Sequence, residues 1–144
     1  MASILSLTEF FELKLNSPMV NNRWSWGAVK PDGSAVYLSV WQDEIRRDDP
    51  KDPQSSVWAD VLWDEALWNE VNGASIARDE RIKHLELIKT GVPGYALVKI
   101  AKDVKAMPRQ MKEFTSEYLI CIKNNFRMTD KGVLQVELGG KFQL

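Results

Sequence analysis

The residues of this chain whose types could do chemistry are mainly aromatic and acidic. Six tryptophans all fall in the amino-terminal half of the sequence: Trp24, Trp26, Trp41, Trp58, Trp63 and Trp68. An indole either packs in a hydrophobic core or stacks on a flat ligand. Trp24 and Trp26 share one face of any strand that contains them, because successive side chains of a strand point to opposite faces.

Two interpretations of this aromatic group stay open. In the first, the indoles are the core of a sheet packed on helices. In the second, they line a pocket that stacks on a base, at about 1–3 kcal/mol per base. The predicted ligand-binding residues are then Asn22, Arg23, Trp24, Ser25, Trp26, Trp41 and Asp43. In this interpretation Asp43, Asn21 or Asn22 reads a polar edge of the base, and Arg23 holds a phosphate.

Catalytic chemistry has little support in the sequence. His84 and Cys121 are the only histidine and cysteine, and neither has a partner at metal-ligand or nucleophile spacing. We expect His84 on a helix surface and Cys121 packed in a strand. A hydrolase that holds a metal through Asp43 and Glu44 is a further hypothesis. The sequence nevertheless predicts a protein that is not an enzyme, with no catalytic residue, metal or cofactor.

Length and composition indicate an ordinary globular chain. It has 144 residues, 44% hydrophobic residues and a formal net charge of -1, which predicts one domain over residues 1–144. This charge argues against indiscriminate binding to nucleic acid, which depends on many phosphate contacts. We expect no membrane segment and a cytoplasmic location, since the sequence shows no signal peptide and no long apolar run.

Local patterns predict an α+β fold with a small, largely antiparallel sheet or barrel and flanking helices. Ser6 and Glu9 form a capping-box pattern at the start of a helix over residues 6–16. A hairpin over 23–41 turns at Pro31 and Gly33, and mixed charge predicts a mobile loop over 42–54. A second helix is predicted over 75–90, with strands near 94–101, 117–128 and 133–138. Residues 55–68 are ambiguous between strand and helix, and 108–114 could form a helical turn.

Several segments resemble a module found beside HNH nuclease domains in bacterial proteins of the modification-dependent restriction type. The similar segments are residues 22–28, 36–44, 80–91 and 93–96. Such modules are similar to PUA-like base readers, in which a small barrel with flanking helices inspects a modified base. The resemblance implies a reader of modified DNA without the nuclease, because one histidine is too few for an HNH metal site.

Two functions therefore stand side by side. The first is a nucleic-acid-binding module that reads a modified base in an aromatic pocket. The second is a protein-interaction domain of a bacterial defence or regulatory system without nucleic-acid contact, since Trp and Arg are typical interface anchors.

Overall fold

The structure is a computed structural model that describes residues 6–20, 25–62, 74–105 and 110–144. Within these ranges the chain forms eight strands and two helices. The strands are β1 (Gly27–Val29), β2 (Val36–Trp41), β3 (Ile45–Arg47), β4 (Val57–Leu62), β5 (Gly94–Ala101), β6 (Met111–Phe114), β7 (Tyr118–Met128) and β8 (Leu134–Gln143). The helices are α1 (Leu7–Glu9), which continues as a π-helical turn over Phe10–Lys14, and α2 (Ala74–Lys89).

All eight strands belong to one sheet. The strand order is β1-β2-β5-β7-β8-β4-β3, and β6 pairs with β5 outside this path. Every pair is antiparallel except β2 with β5, which is parallel and therefore needs a crossover connection. The chain makes this crossover through β3, β4 and α2. The predicted α+β class with a largely antiparallel sheet is confirmed, and the sheet is open, with β1 and β3 at its ends.

Helix α2 covers one face of the sheet. The buried side chains of this face come from four strands and from the helix: Val36, Leu38, Val40, Ala59, Val61, Leu85, Ile88, Ala96, Val98, Val136 and Leu138. The alternation of Val36, Leu38 and Val40 along β2 gives this face its apolar row. No helix in the described ranges combines the length and the apolar composition needed to cross a membrane.

Helix α1 and its π-helical turn cover the other face. The Ser6 side chain accepts a hydrogen bond from the Glu9 amide, and the Glu9 side chain accepts one from the Ser6 amide, so the predicted capping box forms. The segment ends near Asn16, whose φ of 51° is left-handed. Its apolar side chains join a second buried cluster: Phe10, Phe11, Leu15, Ala28, Ala35, Tyr37, Leu97 and Leu119.

The predicted mobile loop over 42–54 is wrong in its first half. Gln42–Glu44 is a 3₁₀ turn, and β3 follows at once and pairs with β4. Two of the charged side chains of this segment make specific bonds. Arg47 Nη1 donates to the carbonyls of Pro53 and Ser55 at 2.8 and 2.6 Å, and Asp48 accepts from the Trp58 indole at 3.1 Å.

Other sequence-based boundaries shift for similar reasons. The ambiguous stretch after residue 55 contains β4, which pairs with β8 through Val136 and Leu138. Within the predicted helical turn over 108–114, residues 111–114 form β6, which pairs with β5. β8 extends to Gln143 because its outer part pairs with the start of β7. The helix predicted over 75–90 is α2, at Ala74–Lys89.

The close approach of β1 to β2 gives a test of the fold. A Cβ added at Gly27 would collide with the backbone carbonyl oxygen of Tyr37, which cannot move without breaking the ladder. We expect Gly27→Ala to lower the free energy of unfolding by about 1–3 kcal/mol, as overpacking does, measured by urea denaturation. The control is Gly140→Ala, since a Cβ there meets no atom within 4 Å. Equal midpoints for the two variants would contradict this packing.

Candidate functional site

The structure describes four of the seven predicted ligand-binding residues. Trp26 directly precedes β1 and Trp41 ends β2, and both indoles are half-buried. Ser25 is half-buried and Asp43 is exposed in the 3₁₀ turn after β2. Asn22, Arg23 and Trp24 lie outside the described residues, as do Trp63 and Trp68. Neither described indole of the predicted pocket is therefore fully buried, whereas Trp58 is a core residue at 6% exposure.

Backbone pairing brings Trp26 close to the end of β2. The Ser39 amide and hydroxyl both donate to the Trp26 carbonyl, each at 2.7 Å. Since Ser39 lies two residues before Trp41, the segment of Trp26 runs beside the end of β2. The two tryptophans thus belong to adjoining segments, as the predicted hairpin required.

Arg81 on α2 is fully buried beside Trp26. Its Nη2 donates to the carbonyls of Trp26 and Ser39 at 3.0 and 2.8 Å, and its Nη1 donates to the Val61 carbonyl at 2.9 Å. Its Cζ lies 5.7 Å from the centre of the Trp26 ring. β2 and β4 are separated by three strands in the sheet order, yet both bind this one guanidinium. The sheet must therefore curve around α2.

Burial weakens the proton affinity of this guanidinium without removing its charge. Desolvation lowers the pKa of Arg81 to about 10, against the opposing effect of the carboxylates of Glu80 and Glu44. Arg81 therefore stays charged at neutral pH. It supplies a fixed positive charge under Trp26.

His84, one turn further along α2, is also buried, at 5% exposure. The sequence-based prediction of a surface histidine is wrong. Burial, and next the positive charge of Arg81, lower the pKa of His84 to about 4, so the ring is neutral at pH 7. Its Nδ1 has no hydrogen-bond partner among the described residues. A Cβ at Gly27 would lie 3.3 Å from this nitrogen.

Glu80 completes this group of polar side chains. The Ser25 hydroxyl donates to Glu80 Oε2 at 3.2 Å. Burial raises the pKa of Glu80, with the Ser25 hydrogen bond and then the charges of Arg81 and Lys83 acting against it. We call the contact of Ser25, Trp26 and Gly27 with Glu80, Arg81 and His84 the α2–β1 junction. Three consecutive residues before and in β1 there meet three polar side chains of one helix.

Sequence reasoning missed Glu80, Arg81 and His84 as site residues. The sequence-based apolar stripe of α2 ran through Ile82, Leu85 and Ile88, but Ile82 is only half-buried. The buried face has the i, i+3, i+4, i+7 spacing of Arg81, His84, Leu85 and Ile88. This spacing is visible in the sequence. Arginine is almost never fully buried without partners, however, so Arg81 is not expected on the buried face of a helix.

A second cation lies over Trp41. Lys99 Nζ is 4.1 Å from the centre of the Trp41 ring, and Trp41 and Lys99 face each other in the parallel pairing of β2 with β5. Beyond Lys99, the end of β5 and the start of β6 carry exposed lysines at Lys102, Lys105 and Lys112. This end of the sheet therefore combines a half-buried indole with several positive charges.

Among the residues that the structure describes, no group of three or more histidine, cysteine, aspartate and glutamate side chains could hold a metal ion. The described part of the chain offers a half-buried indole beside Arg81, a second one beside Lys99, and the polar side chains of the α2–β1 junction. An indole with a cation and polar groups nearby suits a flat ligand with a hydrogen-bonding edge and a negative charge.

Removing the Arg81 guanidinium should destabilise the fold. In Arg81→Met the carbonyls of Trp26, Ser39 and Val61 lose a buried donor, so we expect the free energy of unfolding to fall by about 3 kcal/mol. Lys83→Met is the control, because Lys83 is exposed on the same helix. Chemical denaturation checks both, and a loss no larger than that of the control would show that the guanidinium does not hold the strands.

His84 should make stability depend on pH. Its pKa is 6.5 in the unfolded chain and about 4 in the folded one, so the unfolded state takes up the proton first as pH falls. Stability is fully present above pH 6.5 and decreases between 6.5 and about 4, by at most roughly 3 kcal/mol. The raised pKa of Glu80 acts with the opposite sign.

Because His84 is the only histidine, His84→Met isolates its effect. Unfolding free energies measured at half-unit steps from pH 7.5 to 5 should slope downwards in the original chain. They should stay nearly flat in the variant. Parallel curves would mean that His84 titrates normally.

Comparisons of the chain with protein-family models, with curated proteins and with solved structures find no match.

Proposed function

We propose that this chain binds nucleic acid and takes up an unstacked base on the aromatic surface formed by Trp26 and Trp41. The observation that carries the proposal is that both indoles stay partly exposed on adjoining segments, each with a cation over its ring. A base is attracted to such indoles by stacking, while the exposed lysines beyond Lys99 favour the nearby phosphates. Ser25 and Asp43 are the described polar residues predicted for the same surface.

Exposed lysines at the end of the sheet that carries Trp41 could contact the phosphate backbone of a bound nucleic acid. Lys102, Lys105 and Lys112 are exposed on the segment around the β5–β6 connection, where the described acidic residues are Asp103 and Glu113. The excess of positive charge is local, because the whole chain carries a net charge of -1. Phosphate contacts of this kind position the ligand and carry no sequence information. Selectivity must then come from the base itself.

The finer form of the proposal is a reader of a modified base in DNA. It rests on the similarity of residues 22–28, 36–44, 80–91 and 93–96 to PUA-like modules of modification-dependent restriction proteins. On this proposal the chain belongs to a bacterial defence system and works in the cytoplasm. Asn22, Arg23 and Trp24 would complete the site.

Tryptophan fluorescence tests the proposal directly. Oligonucleotides, single- and double-stranded, with plain or methylated cytosine, are titrated into the chain at two salt concentrations. We expect saturable quenching that prefers the modified oligonucleotide and is smaller in Trp26→Phe and Trp41→Phe. Binding without preference would support a general nucleic-acid binder and reject the modified-base reader. No change with any oligonucleotide at low salt would reject both.

The lysines predict a specific salt dependence. In Lys102→Gln/Lys105→Gln two phosphate contacts are lost, so the slope of log K against log salt should become shallower by roughly 1–2. The control is Lys51→Gln/Lys131→Gln, which removes the same charge from exposed turns elsewhere. Equal slopes for the two variants would place the phosphates on another surface.

One surface favours protein interaction as the second candidate. β4 pairs with β8 only from Leu134 to Leu138, so among the described residues the outer part of β8 pairs with β7 alone. Phe142 and Leu144, at 45% exposure each, stand on this part. A strand edge with exposed apolar side chains suits an added strand from a partner. If the chain binds no oligonucleotide, the second candidate, binding of a partner protein at this edge of β8, is favoured.

A further inference from the structure

The α2–β1 junction contains polar atoms whose hydrogen-bonding capacity is unused. Glu80 Oε1, Arg81 Nε and His84 Nδ1 are all buried and have no hydrogen-bond partner among the described residues. Arg81 and His84 are themselves 2% and 5% exposed. Buried polar atoms are almost always paired in folded proteins, so three unpaired ones in one place call for an explanation.

The three atoms lie against the segment that carries Trp26. The Ser25 hydroxyl binds the other oxygen of Glu80, the Trp26 carbonyl binds Arg81, and Gly27 faces His84 Nδ1. The Arg81 Cζ also lies 5.7 Å from the centre of the Trp26 ring, so this indole adjoins the junction. Their chemistry is mixed: Glu80 accepts, Arg81 Nε donates, and the neutral imidazole does either according to its tautomer.

We propose that the α2–β1 junction receives the hydrogen-bonding edge of the base that stacks on Trp26, with Glu80 accepting an N–H of the base and Arg81 donating to an adjacent ring nitrogen or carbonyl. The ligand class is thus a nucleobase with an N–H donor beside an acceptor. This inference rests on the proposed function. It assigns the reading of the edge to Glu80 in place of the exposed Asp43.

Access to the Glu80 carboxylate requires that the Ser25 hydroxyl be displaced from it. The bond between the Ser25 hydroxyl and Glu80 is 3.2 Å long, beyond the usual range for O–H···O bonds, so exchanging it costs little. The raised pKa of Glu80 reflects a partly desolvated carboxyl, where a donor from a ligand replaces lost water. Arg81 keeps its three carbonyl bonds, so the fold need not open.

The test separates edge reading from stacking. Two single-stranded oligonucleotides differ at one central position, which carries thymine or its nonpolar isostere difluorotoluene, a ring of nearly the same shape without strong hydrogen bonds. Affinities are measured by tryptophan fluorescence for the original chain, Glu80→Met and Glu86→Met. Glu86 is the matched control because it is exposed on the same helix.

The original chain and Glu86→Met should prefer thymine by ~10-fold or more, since an unfilled polar site rejects a ligand that cannot pair with it. Glu80→Met should reduce this preference to less than ~3-fold. If Glu80→Met does not fold, Glu80→Gln replaces it and should lower the preference part of the way, as a neutral amide accepts more weakly than a carboxylate.

The outcomes distinguish the two proposals. Equal preference for thymine in the original chain and in the folded Glu80 variant overturns the edge-reading role and leaves nucleic-acid binding standing. Equal affinity of the original chain for thymine and isostere also overturns edge reading and leaves stacking alone. If the original chain binds neither oligonucleotide, the proposed function itself fails.

Discussion

One buried cation holds together the part of the molecule that carries the proposed binding site. The Arg81 guanidinium donates to carbonyls of the segment before β1, of β2 and of β4. Burying a charge is costly unless it is well hydrogen-bonded. The three bonds offset this cost only if the sheet curves enough to bring Ser39 and Val61 to the same group. Three features therefore depend on one another: the curvature of the sheet, the position of α2 against the sheet and the position of Trp26.

The electrostatics of the α2–β1 junction follow from this cation. His84 lies one turn away on the same face of α2, and its burial beside a fixed positive charge keeps the imidazole neutral. Glu80 precedes Arg81 and feels its attraction, but burial outweighs that attraction and raises the pKa of the carboxyl. A neutral ring, a cation and a half-buried carboxyl thus occupy successive positions along two turns. Such a mixture of donors and acceptors suits the proposed recognition of a polar edge.

The parallel pair of β2 and β5 determines the surroundings of Trp41, the other indole of the proposed binding site. In this pairing Trp41 faces Lys99, so the strand that carries the indole also receives a cation from its neighbour. The same direction of β5 brings the exposed lysines beyond Lys99 to the end of the sheet where Trp41 lies. An antiparallel arrangement of these two strands would have sent those lysines to the opposite end. The crossover through α2 thus serves both the junction and the cationic end of the sheet.

Local sequence determined the elements of this protein because short-range chemistry controls them. The capping box at Ser6, the turn around Gly33 and the period of α2 all depend on residues a few positions apart. The mixed-charge stretch after Trp41 was different: β3 forms there because Ile45–Arg47 pairs with β4, and Asp48 accepts from Arg127, which lies 79 positions away in the sequence.

The residues of the candidate site also differ in whether the local sequence or the tertiary structure reveals them. The sequence pointed to Trp26 and Trp41, since unusual aromatic residues on a predicted hairpin are visible in the chain itself. It did not reveal Arg81 and His84, because their spacing on α2 is that of a core while their types are those of a surface. Only the tertiary structure decided between the two, by supplying three carbonyl acceptors for the guanidinium from strands that lie 20 to 55 positions away in the sequence.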